Sequence, residues 1–281
     1  MNNPLISIIL PTYNRGSFLH QSIKSVINQQ YQNWELLIVD NNSTDDTDFV
    51  VNSFSDDRIR IYKISNEGLI GKSRNLGIKQ ASGQWIAFLD SDDYWLPNKL
   101  SETISACSSN VDLIFHDLMI AINGEVSNFR KVKGWRLNYP VLNDLLIRGN
   151  PIANSSAMVR KSIFEKIGDI NEDIKINPCV DYHTWLKVST ATNSFFYIPK
   201  SLGVYCVHGG NVSNRDMSSS HQNAISEFLH VLSVDELTLI QKKITFMHVR
   251  YKFTNRQLSG ITSLFFNCIS MNDLFMSAKI L

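Results

Sequence analysis

The stretch "WIAFLDSDDYWLPNKL" at residues 85–100 sets Asp90, Asp92 and Asp93 at the end of an apolar run. Carboxylates this close repel one another unless a cation neutralises them or one keeps its proton. A hard divalent ion needs only one or two protein carboxylates when phosphate oxygens and water fill its other positions. An Asp-x-Asp pair at a strand end therefore suits a metal-bound diphosphate, with the ion stabilising charge that builds on a departing diphosphate. The plainer use of Asp92 or Asp93 is helix capping ahead of Pro97, and Asp93 is expected to orient or cap. Asp40 closes a second apolar run, "WELLIVD", where its plainer use is to open an Asx-turn.

These residues need elements to position them. "LISIIL", ended by Pro11, and "WELLIVD", "RIRIYKI" and "QWIAFLD" read as strands. Between them, "FLHQSIKSVINQQ" sets Phe18, Leu19, Ile23, Val26 and Ile27 on one helical stripe. A second helix follows Ser43 or Thr44 as N-cap, and "GKSRNLGIKQA" is a third, closed by Gly83. Alternating strands and helices predict βαβ units in a largely parallel sheet covered on both faces. Ligands bind beyond the carboxyl ends of such strands. One rim would then carry Pro11, Thr12, Tyr13 and Arg15 from the first strand, Asp40 from the second, and Asp90, Ser91 and Asp92 from the fourth.

Beyond residue 110 the pattern changes to α+β. Asn123-Gly124 between two half-apolar runs signals a hairpin. "PVLNDLLIRG", "RKSIFEKIG" and "DYHTWLKVSTA" read as helices, "SSAMV" and "SLGVYCV" as strands, and the chain from about Ser218 to its end as helical.

The 281 residues include 27 basic and 26 acidic side chains, a net charge of +1, which gives no reason to expect nucleic acid as a partner. The four cysteines are scattered, without a C-x-x-C pair, so a reducing setting is the simpler reading. With no basic leader at "MNNPLISIIL" and no long apolar span, a cytoplasmic protein without a transmembrane helix is expected.

"SIILPTYNR", "LLIVDNNSTDDT", "GKSRNLGIKQASGQWIAFLDSDDYWLPNKL" and "SSAMVRKSIFEKIG" resemble successive blocks of the family 2 glycosyltransferases, in the right order from about residue 5 to about residue 215. The resemblance implies a GT-A fold and transfer of a sugar from a nucleotide-diphosphate donor, usually with inversion and with Mn²⁺ or Mg²⁺. It places Pro11, Thr12, Tyr13 and Asp40 around base and ribose and Arg74 beside the nucleotide. It makes Asp90 and Asp92 the Asp-x-Asp pair, Asp90 nearer the ribose and Asp92 on the metal. By the same resemblance Asp181 in "CVDYHTWLKV" falls on the base position, with Val180 where the family usually has Glu, and His208 in "VYCVHGGNVS" completes the metal site or touches the diphosphate. The residues alone leave plainer roles open: a salt-bridged helix residue for Arg74, an N-cap for Asp181, a structural histidine for His208.

The fold expected is thus α/β of GT-A type. It has a Rossmann-like, mostly parallel sheet with helices on both faces, a small antiparallel acceptor-side subregion and a C-terminal helical appendage. The domain reading is 1–215 catalytic, split into a nucleotide-sugar half at 1–110 and an acceptor half at 111–215, with 216–281 as the helical extension. The expected donor is a UDP-hexose or UDP-N-acetylhexosamine, and the acceptor a lipid-linked glycan of O-antigen, capsule or a similar polysaccharide. From Leu237 to Asn272 no acidic residue occurs, while five basic residues are mixed with aromatics. That suits an anionic membrane surface, and hence a peripheral place on the inner face of the cell membrane, or else a helix packed on the catalytic domain with a solvated basic face. Two rival readings remain. A sugar-nucleotide nucleotidyltransferase would want a Gly-rich loop after the first strand, where "PTYNRGS" has a single glycine; a non-catalytic nucleotide-sugar binder is kept open by Val180.

Overall fold

A computed structural model describes residues 3–107, 110–211 and 215–254. Strands β1 (Ile6–Thr12), β2 (Trp34–Asp40), β3 (Ile59–Lys63) and β4 (Trp85–Phe88) pair in parallel in the order β3-β2-β1-β4. Helices α1 (Gly16–Ile27), α2 (Thr47–Asn52) and α3 (Ile70–Gln80) make the crossovers, and α4 (Lys99–Ala106) follows β4. Every residue of β1, β2 and β4 is buried, as parallel strands between two helical layers must be. Side chains alternate across the sheet: Ile9, Leu37, Ile86 and Phe88 join one hydrophobic cluster, while Ile8, Leu10, Leu36 and Ala87 join another on the opposite face.

The second half of the chain extends the sheet with mixed pairing. Strand β5 (Tyr94–Trp95) pairs antiparallel with β9 (Phe195–Val207), and β6 (Leu113–Ile122) forms a hairpin with β7 (Glu125–Val132). The turn residues Asn123 and Gly124 both have positive φ, 51° and 85°, as a tight hairpin with right-handed strand twist requires. Strand β8 (Met158–Arg160) lies between β4 and β6, and β9 runs parallel to β6. Helices α5 (Val141–Arg148), α6 (Lys161–Ile167) and α7 (Val180–Ala191) fall where the apolar periodicity places them. The α/β class, with helices on both faces of the sheet and an antiparallel portion in the second half, agrees with the expectation.

Several local expectations are corrected. Helix α2 starts at Thr47, not behind Ser43 or Thr44: Asn14 Oδ1 accepts the Thr44 N–H, Ser43 Oγ accepts the Asn14 N–H, and Asp45 accepts the Thr47 N–H instead. Gly83 does not close α3, which ends at Gln80; a Cβ there would lie 2.6 Å from the Leu5 carbonyl oxygen, so close backbone approach explains the glycine. Trp95 belongs to a strand, α4 begins only at Lys99, and neither Asp92 nor Asp93 caps it.

The C-terminal helices α8 (Ser218–Ile225) and α9 (Val234–Thr254), joined by a 3₁₀ turn at Ser226–Val231, pack on the second half. Ala224, Ile225, Phe228, Ile240 and Ile244 share a cluster with Val180, Tyr182 and Trp185. Lys243 turns inward to the Ile147 carbonyl, so the basic run of α9 is not all solvated. Residues 255–272 of that run, like the expected helix to residue 281, lie outside the described residues. Among those described, no helix is long and apolar enough to cross a membrane.

Candidate active site

The register sets the rim. Thr12 pairs with Asp40, and the Leu89 N–H donates to the Ile9 carbonyl at 3.0 Å, so residues 90–93 leave β4 level with the ends of β1 and β2. Pro11 and Thr12 are buried at the end of β1, Thr12 Oγ1 has no hydrogen-bond partner among the described residues, and Tyr13 is exposed. Asp40 is fully buried. Its carboxylate accepts from Lys63 Nζ at 2.6 Å and from the Ser43 N–H at 3.1 Å, so the turn-forming role holds and Lys63, unforeseen from sequence, neutralises the charge. Arg15 is engaged elsewhere on the rim: its Nη2 donates to the Gly210 carbonyl at 3.1 Å and its guanidinium lies 5.8 Å from the Phe18 ring centre.

The acidic cluster divides three ways. Asp90 Oδ1 accepts from Arg74 Nη2 at 3.0 Å and from Asn154 Nδ2 at 2.8 Å. Burial raises the Asp90 carboxyl above its ordinary range, Arg74 opposes that, and Asp92 adds to it. Arg74 itself is buried on α3, and its Nε has no hydrogen-bond partner among the described residues, which is costly for a buried donor. Asp92 Oδ2 faces His208 Nε2 at 2.9 Å, and the His208 ring stacks on Phe18 with centres 4.7 Å apart. Because the Gly210 N–H donates to Nδ1 at 3.1 Å, Nε2 carries the ring proton and donates to Asp92. Ser91 is buried, and the Ser22 hydroxyl lies 2.8 Å from its carbonyl oxygen.

Asp93 points inward. One oxygen accepts from Ser155 Oγ at 2.6 Å and the other from the Cys206 N–H at 3.0 Å. Burial, then Asp92 and Asp90, push its carboxyl well above the usual range. Ser155 adjoins Asn154, which holds Asp90, and Cys206 lies two residues before His208, which holds Asp92. The orienting role foreseen for Asp93 is the one seen. Asn154 and Ser155 were missed by sequence reasoning; "ANSSA", a small polar run between a helix and a strand, was the available signal.

Asp181 sits in the first turn of α7, whose N-cap is Cys179, so it is not the plain cap. Its Oδ1 accepts the Tyr182 N–H at 2.7 Å, and Asn150 Nδ2 lies 3.5 Å from Oδ2. Burial raises its carboxyl, which Arg74 opposes and Asp90 adds to. Val180, in place of the family's usual Glu, is buried in the hydrophobic cluster. The Asp92 carboxylate is a fitting donor for Mn²⁺ or Mg²⁺, whereas the His208 imidazole suits Mn²⁺ better than the oxygen-seeking Mg²⁺, and the described residues hold no cluster of three or more metal-binding side chains.

The family described as Glycosyl transferase family 2 has a model that matches residues 7–168, more than half of the chain. An Escherichia coli enzyme, UDP-Glc:α-D-GlcNAc-diphosphoundecaprenol β-1,3-glucosyltransferase WfgD, is 43% identical over 129 residues, 45% of this chain and 50% of that one, so this chain spans about half of that relative's length. Among solved structures, S. aureus TarS in complex with UDP-GlcNAc superposes with a TM-score of 0.66 at 19% identity, covering 98% of this chain and 79% of that one. The mannosyltransferase PcManGT of Pyrobaculum calidifontis, in complex with GDP-Man and Mn²⁺, gives 0.65 at 15% identity, covering 99% and 80%. At such identities the two structures establish the fold alone. The family match, together with the strand-end carboxylates and the fold that presents them, means that this chain belongs to glycosyl transferase family 2.

Proposed function

We propose that this glycosyltransferase moves a hexose or N-acetylhexosamine from a UDP donor, with inversion, to a hydroxyl of a lipid-linked glycan in polysaccharide assembly. The observation that carries the reading is the pairing of Asp92 with His208 and of Asp90 with Arg74 at the end of β4. A UDP-glucose donor and a diphosphoundecaprenol acceptor in the name of the E. coli relative support the substrate classes.

In this reading Pro11, Thr12, Tyr13 and Asp40 border base and ribose, and Arg15 and Ser91 shape the rim. Asp90 lies toward the ribose, held by Arg74 and Asn154, and Arg74 Nε, without a partner among the described residues, is available to a diphosphate oxygen. Asp92 and His208 would hold Mn²⁺ or Mg²⁺, with Asp90 beside them, and the ion would supply positive charge to the leaving diphosphate. Holding it at Nε2 requires the ring proton to move to Nδ1, so the Gly210 N–H gives up that acceptor. Asp181 takes the acceptor proton late, as the new C1–O bond forms and the bond from C1 to the diphosphate oxygen breaks on the opposite face. Its raised carboxyl makes it a stronger base than an exposed aspartate, near 3.9. Work at the inner face of the cell membrane fits such an acceptor.

Titration with Mn²⁺ and UDP-sugars tests this. Asp92→Ala is expected to abolish metal-dependent donor binding. Asp181→Asn is expected to keep that binding and lose about 10²–10⁴-fold in transfer. Full activity in Asp181→Asn would remove the base assignment. Pyrophosphate-dependent exchange would favour a nucleotidyltransferase, and donor binding without turnover a binding protein.

A further inference from the structure

The β6–β7 hairpin carries a surface that the catalytic reading does not use. Among the described strands β7 pairs with β6 alone, leaving its other edge free. The β6–β7 register is irregular between Val126 and Lys131, so Phe129 lies in a bulged stretch off the regular ladder, while Val132, paired with Leu118, is half-buried. Phe129 is 95% exposed and Tyr139, at the end of the following loop, 82%. Arg130, Lys131, Lys133 and Arg136 are exposed between them, with no ion pair to any described carboxylate, and no acidic residue occurs from 126 to 143. Cations on a free edge discourage sheet-to-sheet pairing, but that role does not call for a phenyl ring standing in water.

We propose that the segment from Phe129 to Tyr139 docks the protein on an anionic lipid bilayer. Its charge complements such a surface: the four cations are attracted by acidic headgroups, and the two rings sink to the boundary of headgroup and acyl chain. The rival basic run on α9 is partly spent, since Lys243 faces the Ile147 carbonyl and Ile240, Ile244 and Val249 are buried. The loop that follows β7 also runs close to the neighbours of Asp181. A Cβ on Gly134 would come within 3.1 Å of the Pro151 carbonyl oxygen, and the adjoining Asn150 reaches Asp181. A bilayer held here presents a lipid-borne acceptor to Asp181, a consequence that rests on the proposed function; the docking does not.

The test is co-sedimentation of the full chain with phosphatidylcholine vesicles, with and without phosphatidylglycerol. Binding is expected to need phosphatidylglycerol and to weaken with salt. Each surface cation is worth about fivefold in partitioning, so K131E/K133E should lower it by about 25-fold or more. F129S should weaken binding as well, while K242E on α9 should leave it within about twofold. Wild-type binding by K131E/K133E and F129S, or an equal loss in K242E, overturns the proposal. So does a changed monomer–dimer equilibrium with unchanged vesicle binding, which would give the edge to a second copy. Mn²⁺-dependent UDP-sugar binding, measured in solution on the same samples, reports separately on fold and donor site, so failure of the catalytic reading is told apart.

Discussion

Asp93 carries more of the site's geometry than either member of the Asp-x-Asp pair. Its two oxygens fasten the turn that holds Asn154 and the strand end that holds His208, so a single side chain aligns the partners of Asp90 and Asp92. With Asp92 and His208 in their proposed metal-holding role, Asp93→Ala should lower kcat/KM by about tenfold or more, the usual cost of freeing a supporting contact around a metal ligand. Asp93→Asn, which can still accept from Cys206 and bond Ser155, should recover most of it; equal loss in both would refute the positioning role. Asp181 predicts the pH profile. As the proposed base it would act only when ionised, and burial raises its carboxyl, so kcat/KM should fall on acidification at a higher pH than an exposed aspartate would give. The same shift has a stability sign. The native state holds that proton more tightly than the unfolded chain, so stability is lost as pH rises through the raised value, and Asp181→Asn should melt no lower than wild type at neutral pH. Asp90, Asp92, Asp181 and His208 could be proposed from sequence because motif and order mark them. Asn154, Ser155 and Lys63 were not, because their partners lie 64, 62 and 23 residues away and no local period records such contacts.

At the scale of elements, alternating periodicity located the strands and helices well but misjudged their ends. The end of α3 depends on how close Gly83 comes to the Leu5 backbone, and the start of α2 on Asn14 reaching across from β1. Helix α4 docks through its first residue, which apolar patterning would place in solvent. Lys99 is fully buried, its Nζ lies 3.8 Å from the Trp95 ring centre without a hydrogen-bond partner among the described residues, and burial pushes its amine down to about 7. The unfolded chain binds that proton up to about pH 10, so stability should rise with pH from about 7 toward that value. Lys99→Met should abolish the rise and match or exceed wild-type stability at pH 7, because a thioether loses less on burial than an ammonium without a hydrogen bond. Denaturant melts at several pH values measure this; an unchanged slope in the mutant would assign it to another group.

For the whole molecule, the helices after residue 216 are packed as part of the core. Tyr182 stacks on His221 with ring centres 4.9 Å apart, His183 Nε2 meets Glu227 at 2.6 Å, and Phe228, Ile240 and Ile244 cover the cluster around Trp185. A chain ending at Asp216 should expose that apolar face beside the candidate base, bind hydrophobic dye and unfold without a sharp transition; cooperative melting at the wild-type temperature would show the extension to be separable. By itself the sequence determined the alternating α/β layout, the hairpin at Asn123-Gly124 and the acidic strand end, since these rest on local periodicity, turn chemistry and residue order. Only the tertiary structure decided which carboxylate meets Arg74, which meets His208 and which is spent on alignment. Like-charged neighbours in a four-residue run are told apart only by partners that folding brings from distant parts of the chain.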